Sequence, residues 1–365
     1  MSRFCFLAII LLAFSGQISE LRAQQTSVPR LSRDILDVLP PAERVRGMPG
    51  RMTMRPLACH SLPTAQTRRR IVDIAIQEWG FFGFSVVDQS DFDNGIPVEH
   101  LLARYRGMGA SPAAYRPLPR GGRFPSLPMD EAARVATSVN GYWAATPQGG
   151  AMIARQNEAW SGPYGVTGRW ADPWSAAFIS WVMCEGGLGE NDQFQRAIAH
   201  WTYIDQAIRA RDGRASDAAF VAYELGEETI VPGDMLCSGR RPDYRTVAQR
   251  RRQLGVGARS HCDIVVNVDE ASGRILTIGG NVRRSVSLKI FAATKTANGI
   301  LRPAAPPENA DMRPLFAHLK LRAGPIEADA LRNSPTIKAL NCELQIVERH
   351  AAYDLLPVNL SEGAC

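Results

Sequence analysis

Two side chains in the stretch ADPWSAAFISWVMCEGG, residues 171–187, could attack an electrophilic carbon: Ser175 and Cys184. Trp174, Phe178, Trp181 and Val182 recur at helical spacing, so a helix is expected here. Asp172 suits its N-cap, Pro173 its first position, and Gly186 and Gly187 its stop. Residues nine apart at about 100° each differ by roughly 900°, which puts Ser175 and Cys184 on opposite faces. Ser175 falls in the first turn, where unpaired N–H groups and the helix dipole stabilise negative charge. That is a place for a nucleophile or an oxyanion site. Cys184 falls at the other end, where the dipole disfavours a thiolate, and is expected to be buried or disulfide-bonded.

A base for Ser175 is sought in SHCDIVV, residues 260–266. In a strand His261, Asp263 and Val265 share one face, and Cys262, Ile264 and Val266 share the other. A bridge from Cys262 to Cys237 of GDMLC would lie on the face away from His261 and leave that imidazole to meet the helix. One strand later TIGGN ends in Asn281, a polar residue able to hold an imidazole in one tautomer. Each of these residues also has a purely structural reading. Ser175 can fill a hydrogen bond at a helix start, His261 can be a satisfied histidine, and Asn281 can be a turn residue. His200 stands one position off the apolar stripe Phe194, Ile198, Trp201, Ile208, and ranks behind His261 as a residue lining a groove or the surface. Trp143 and Trp174 are core residues or the floor of a substrate cleft, and Asp234 of PGD ties down a turn.

The elements that position these groups follow from composition and periodicity. Residues 1–23 run from MSR through the apolar FCFLAIILLAF to LRA, the anatomy of a cleaved secretory signal peptide. No later stretch is long and apolar enough to cross a membrane, so a periplasmic or secreted protein without a membrane span is expected. Residues 24–63, rich in Pro and Arg, read as a linker or surface strap that Cys59 could pin to the body. Residues 64–300 form the main domain. Helices are expected over 68–83, in DEAARVATSVNGYWAA, in MIARQNEAW and in NDQFQRAIAHWTYIDQAIRARD. From residue 230 the runs TIVPGDMLCSG, SHCDIVVNVDE, GRILTIGGN and RRSVSLKIF read as consecutive antiparallel strands. Helices first and strands after define an α+β domain. Residues 301–365 are taken as a C-terminal extension.

The 365 residues carry a net charge of +6, with arginine clusters at 67–70 and 249–252. Each cluster reads as a solvated arginine face, and the excess of positive charge suits an anionic envelope polymer as partner. Export argues against nucleic acid. Of seven cysteines, Cys5 leaves with the leader, and the even remainder favours disulfides whose connectivity spacing does not reveal. No CxxC pair or HExxH is present, so no metal is implied. The absence of a GxSxG elbow argues against an α/β-hydrolase, and no phosphate or dinucleotide fingerprint implies a cofactor.

The motifs PWSAAFISWVM, HWTYIDQA, PGDMLC, SHCDIVV and IGGNV, in that order, resemble a bacterial domain-of-unknown-function family, number 2272, over roughly residues 66–292. More distantly the chain resembles the papain-like NlpC-type and CHAP-type peptidoglycan peptidases and amidases. That resemblance implies a papain-like core with N-terminal helices packed on an antiparallel sheet. It implies amide hydrolysis in peptidoglycan, with Ser175 as nucleophile, His261 as general base and then acid, and Asn281 as orienter. In the peptidases a Cys begins the matching helix. A hydroxyl in its place needs a well-placed base, so a catalytically inactive homologue that binds peptidoglycan or another envelope polymer stays open beside the hydrolase. The disulfides expected are Cys237–Cys262 and Cys342–Cys365.

Overall fold

Apolar periodicity changes along the chain from helical to alternating, and the computed structural model follows that change. It describes residues 27–89, 129–163, 165–167, 170–239, 244–282, 284–305, 314–340 and 355–356; the expected leader and the Cys342–Cys365 bridge lie outside these. The longer helices are α1 (Thr64–Phe81), α2 (Met129–Ala144), α3 (Gly149–Trp160), α4 (Ser175–Glu185) and α5 (Trp201–Arg211). The strands are β1 (Val45–Arg46), β2 (Thr53–Met54), β3 (Ser85–Asp88), β4 (Phe220–Tyr223), β5 (Met235–Gly239), β6 (Ser260–Asp269), β7 (Arg274–Val282), β8 (Ser285–Lys295), β9 (Leu301–Pro303), β10 (Leu315–Leu321) and β11 (Leu355–Leu356). The fold is mixed α+β.

The main sheet runs β11-β3-β8-β7-β6-β5-β10-β4, with β9 paired to β8. β5 to β8 are antiparallel neighbours, as their alternating pattern predicts. Two features depart from the sequence reading. β3 joins β8 in parallel. β10 inserts between β5 and β4, so the boundary placed after residue 300 is corrected: residues 315–321 are an inner strand of the sheet.

The sheet has two different faces. Cys262, Ile264, Val266, Ile278 and Leu288 join the helices in the main apolar core. Leu236, Val265, Val268 and Ile275 form a smaller core on the other face. α4 lies in the middle, against α1, α2, β6 and β7. Every residue from Ala176 to Glu185 is buried, which suits a helix with little polar surface to offer water.

Residues 27–63 are more than a surface strap. Leu36, Val38, Val45 and Met52 enter the main core. Pro41 comes so close to α2 that a Cβ on Gly141 would sit 1.9 Å from the Pro41 carbonyl oxygen. A disulfide joins Cys59 to Cys184, and His60 N–H donates to the Cys184 carbonyl at 3.0 Å. The strap therefore closes the C-terminal end of α4.

The arginine clusters are corrected too, because the first arginine of each points inward. Arg68 is buried and donates to Asp234 at 2.7 Å. Arg250 is buried and grips both carboxylate oxygens of Asp205 at 2.7 Å. One arginine of each cluster is thus committed to an internal ion pair.

One buried carboxyl has no such partner. Asp73 on α1 has an Oδ1 with no hydrogen-bond partner among the described residues. Burial pushes its pKa up to about 7, against the opposing pull of Arg69. A carboxyl whose folded pKa is raised binds its proton more tightly in the native state, so stability falls as pH rises through the window from about 4 to 7. Asp73→Asn is expected to raise the melting temperature at pH 8 and to leave it nearly unchanged at pH 4. Thermal melts at the two pH values check this.

Candidate active site

α4 begins at Ser175, two residues later than the sequence suggested. Trp174 occupies the N-cap without a side-chain cap bond, and no acidic residue stands in the first turn. Asp172 instead pairs with Arg155 of α3 at 3.1 Å. The first-turn amides at Ser175 are therefore uncapped by side chains, and the hydroxyl above them is half-buried.

Ser175 Oγ meets His200 Nε2 at 2.7 Å. This corrects the expectation that His261 would be its partner. His200 stands at the N-terminus of α5, and its side chain is buried. It reaches the sheet where the strands part. The registered pairing of β6 with β7 ends at Ile264↔Ile278, and beyond that point the Cys262 N–H donates to His200 Nδ1 at 3.2 Å. Cys262 is itself fixed by its disulfide to Cys237, its register partner on β5.

These contacts assign the tautomer of His200. A backbone amide can only donate, so Nδ1 must carry the lone pair and Nε2 the proton. The Tyr203 hydroxyl also contacts Nδ1. Burial raises the Tyr203 pKa well above its ordinary value, and the Asp263 charge raises it further, so the hydroxyl keeps its proton and donates. His200 Nε2–H then donates to Ser175 Oγ. In that state His200 stabilises negative charge on the serine oxygen but does not accept its proton.

A second imidazole lies beside the first. The His261 and His200 ring centroids are 5.0 Å apart. His261 Nε2 bonds Asp263 Oδ1 at 2.8 Å, and the other oxygen, Oδ2, accepts from Lys289 Nζ at 2.8 Å. Burial pushes the Asp263 carboxyl up; the His261 and Lys289 partners more than offset it and hold it well below the usual carboxylate range. The carboxylate fits because position 279 is glycine: a Cβ there would come within 1.8 Å of Asp263 Oδ1 and 3.1 Å of His261 Nε2.

The sheet face also needs correcting. A Cβ on Gly280 would strike Phe178 of α4, whereas one on Gly279 would strike Asp263. Neighbouring strand residues point to opposite faces, so α4 packs on the Cys262 face and Asp263 lies on the other. His200, inserted at the fork between β6 and β7, is what connects the two sides.

Asp263, not Asn281, is the residue that bonds His261. Asn281 has φ 57 at the irregularity between Gly279 and Val282, where the register of β7 with β8 shifts. This is a backbone position that Asn tolerates better than most residues. Trp143 and Trp174 are wholly buried. Trp174 stacks between Phe82 and Tyr142, and Trp143 meets Trp170 edge-on, so neither indole presents a face to a ligand. Asp234 ties down its turn, as read from PGD, by accepting from Val231 N–H, and it also binds His318 and Arg68.

Three residues of the site escaped the sequence reading. Asp263 was visible as the i+2 neighbour of His261 on one strand face, and Tyr203 as the i+3 neighbour of His200 on a helix. Lys289 could be found only by counting the register Thr277↔Lys289 across the β7–β8 hairpin. Among the described residues no group of three or more His, Cys, Asp or Glu is arranged to hold a metal ion, and no helix is long and apolar enough to cross a membrane.

The profile of a family described as "Uncharacterized protein conserved in bacteria (DUF2272)" matches residues 130–321, just over half of the chain. The matched segment contains Ser175, His200, His261, Asp263 and Lys289. No curated protein and no solved structure matches.

Proposed function

The chain belongs to the bacterial family DUF2272, and from that premise we propose that it is an exported hydrolase of amide bonds in peptidoglycan, built on a papain-like core. The observation that carries the reading is a convergence. A serine at a helix start touches one imidazole at 2.7 Å, and a second imidazole, held by an ionised carboxylate, lies 5.0 Å from the first. The two disulfides fit an oxidising compartment outside the cytoplasm.

In the proposed reaction Ser175 Oγ adds to the amide carbonyl carbon, and His261 accepts the hydroxyl proton as the O–C bond forms. Asp263 stabilises the imidazolium, as the carboxylate of a serine triad does. The first-turn amides of α4 hold the developing oxyanion. His200 Nε2–H stays on Ser175 Oγ and stabilises the charge that builds there during attack. The C–N bond then breaks, and the amine leaves with the proton from His261. Water attacks the acyl ester, passes a proton to His261 and releases the carboxylic acid, and Ser175 recovers its proton. Catalytic hydrogen bonds often form fully only when substrate is bound, and this reading requires the His261 ring, which starts beyond His200, to reach Ser175 in the complex.

One observation favours a second reading. With its proton on Nε2, His200 is a donor at Ser175, as is the hydroxyl itself, and such a pair suits holding a carbonyl or carboxylate of an envelope polymer without turnover. Purified sacculi separate the two. The hydrolase reading expects soluble fragments from the protein lacking its leader and none from Ser175→Ala, identified by mass spectrometry. Pelleting of both proteins with intact sacculi, and no fragments, would establish binding and overturn hydrolysis.

A further inference from the structure

Lys289 has no place in the reaction just described, yet it is tied to the site more closely than any other lysine of the fold. Its Nζ lies 2.8 Å from Asp263 Oδ2, while His261 takes Oδ1 at the same distance. The carboxylate is buried and the ammonium nearly so. Among the described residues, Asp263 on its own strand bonds His261, Lys289 on β8 bonds the same carboxylate, and His200 at the start of α5, itself bonded to Tyr203 and to Ser175 of α4, lies beside the ring. β7 brings Gly279 against the ring, and β5 brings the neutral Ser238, whose hydroxyl donates to the His261 carbonyl at 3.4 Å.

The charge balance of this cluster decides which form of His261 is favoured. With His261 neutral, Lys289 and Asp263 make a one-to-one ion pair. With His261 protonated, two cations share one buried carboxylate, and the excess positive charge must be held away from water. A histidine beside an unshared carboxylate faces the opposite balance, because protonation there completes a neutral pair. Resting on the hydrolase reading, we propose that Lys289 is a positioning residue that keeps His261 in its neutral, proton-accepting form. It does so by engaging half of the carboxylate that would otherwise belong to the imidazole. Asp263 remains ionised in either case, because Lys289 compensates its charge whether or not His261 holds a proton.

The test is a titration of the histidine ring nitrogens by NMR in the full chain lacking its leader, with His261 assigned by comparison with His261→Gln. Lys289→Met removes a cation and frees the carboxylate, and both changes act in one direction. The His261 pKa is expected to rise by about one unit or more. Lys289→Arg keeps the charge and is expected to titrate close to the wild type. If the methionine variant fails to fold, Lys289→Gln, which keeps a donor but no charge, is read by the same criterion. An unchanged or lowered His261 pKa in a folded charge-free variant would overturn the proposal. Where sacculi are digested, the acidic limb of the pH–kcat/KM profile is expected to move upward with that pKa. A shift in the NMR titration without digestion by any variant would end the hydrolase reading and leave the role of Lys289 standing.

Discussion

Asp263→Ala is expected to reduce turnover by about 10⁴-fold, the scale of loss when the carboxylate that orients a catalytic histidine is disabled. The substitution takes away the acceptor that fixes His261 Nε2, so the ring loses both its orientation and the charge that stabilises its protonated form. It also strands Lys289, whose Nζ now donates to Asp263 Oδ2. Removing one partner of a buried charge pair costs about 3–5 kcal/mol, since the other is left uncompensated. Denaturant titration beside the turnover assay separates the two effects. The pH dependence carries a sign of its own. Asp263 has a folded pKa below its unfolded value, so its contribution is present above the unfolded pKa, about 3.9, and is lost as pH falls through the folded one. The difference in stability between wild type and Asp263→Ala is therefore expected to shrink on acidification below that value. A constant difference would show that the carboxylate is not ionised in the native state.

The second large effect lies away from the chemistry. Glu185, at the end of α4, is wholly buried, accepts from Arg44 at 2.6 Å and from the Leu39 N–H at 3.0 Å, and lies 3.2 Å from the His60 ring nitrogen Nε2. Arg44 is buried as well and spends its remaining donors on the carbonyls of Leu57 at 2.9 Å and Ala58 at 3.0 Å. The Arg44–Glu185 pair thus gathers the strap at Leu39, at Arg44 and at Leu57–His60 around the tail of the helix that bears Ser175. Arg44→Met leaves a buried carboxylate short of its cation, and a loss of about 3–5 kcal/mol is expected. The double variant Arg44→Met/Glu185→Met removes both charges and is expected to regain much of that loss, because apolar pairs often replace buried ion pairs without penalty. Urea titrations of the three proteins check both statements. Equal stability of the single and double variants would mean that packing, not charge, holds the strap.

Features written in local periodicity were legible in the sequence. Ser175 at a helix start and the hairpins β6–β7 and β7–β8 rest on spacing within a few residues. The Cys237–Cys262 bridge follows once β5 and β6 are neighbours. Features that depend on where distant segments meet were not legible. The insertion of β10 beside β5 joins residues some 80 positions apart, and no pattern inside either strand announces it. His200 was underrated for the same reason. Its helix start is ordinary, and it matters only because β7 parts from β6 and exposes the Cys262 amide. Asn281 misled because its side chain suits a triad while its backbone suits a bend, and the bend prevailed. Trp143 and Trp174 misled because large aromatics serve a core or a cleft equally well until burial is known.

The mass of the peptide that carries Ser175 tests most directly whether this residue is the nucleophile. Digestion of sacculi is quenched in acid at short times, the protein is proteolysed, and the peptide containing Ser175 is weighed and sequenced by fragmentation. An acyl increment on Ser175 is expected that grows with the release of soluble fragments and is absent from Ser175→Ala, which releases none. Fragments released at the same rate by Ser175→Ala, with no increment on Ser175 in the wild type, would contradict it.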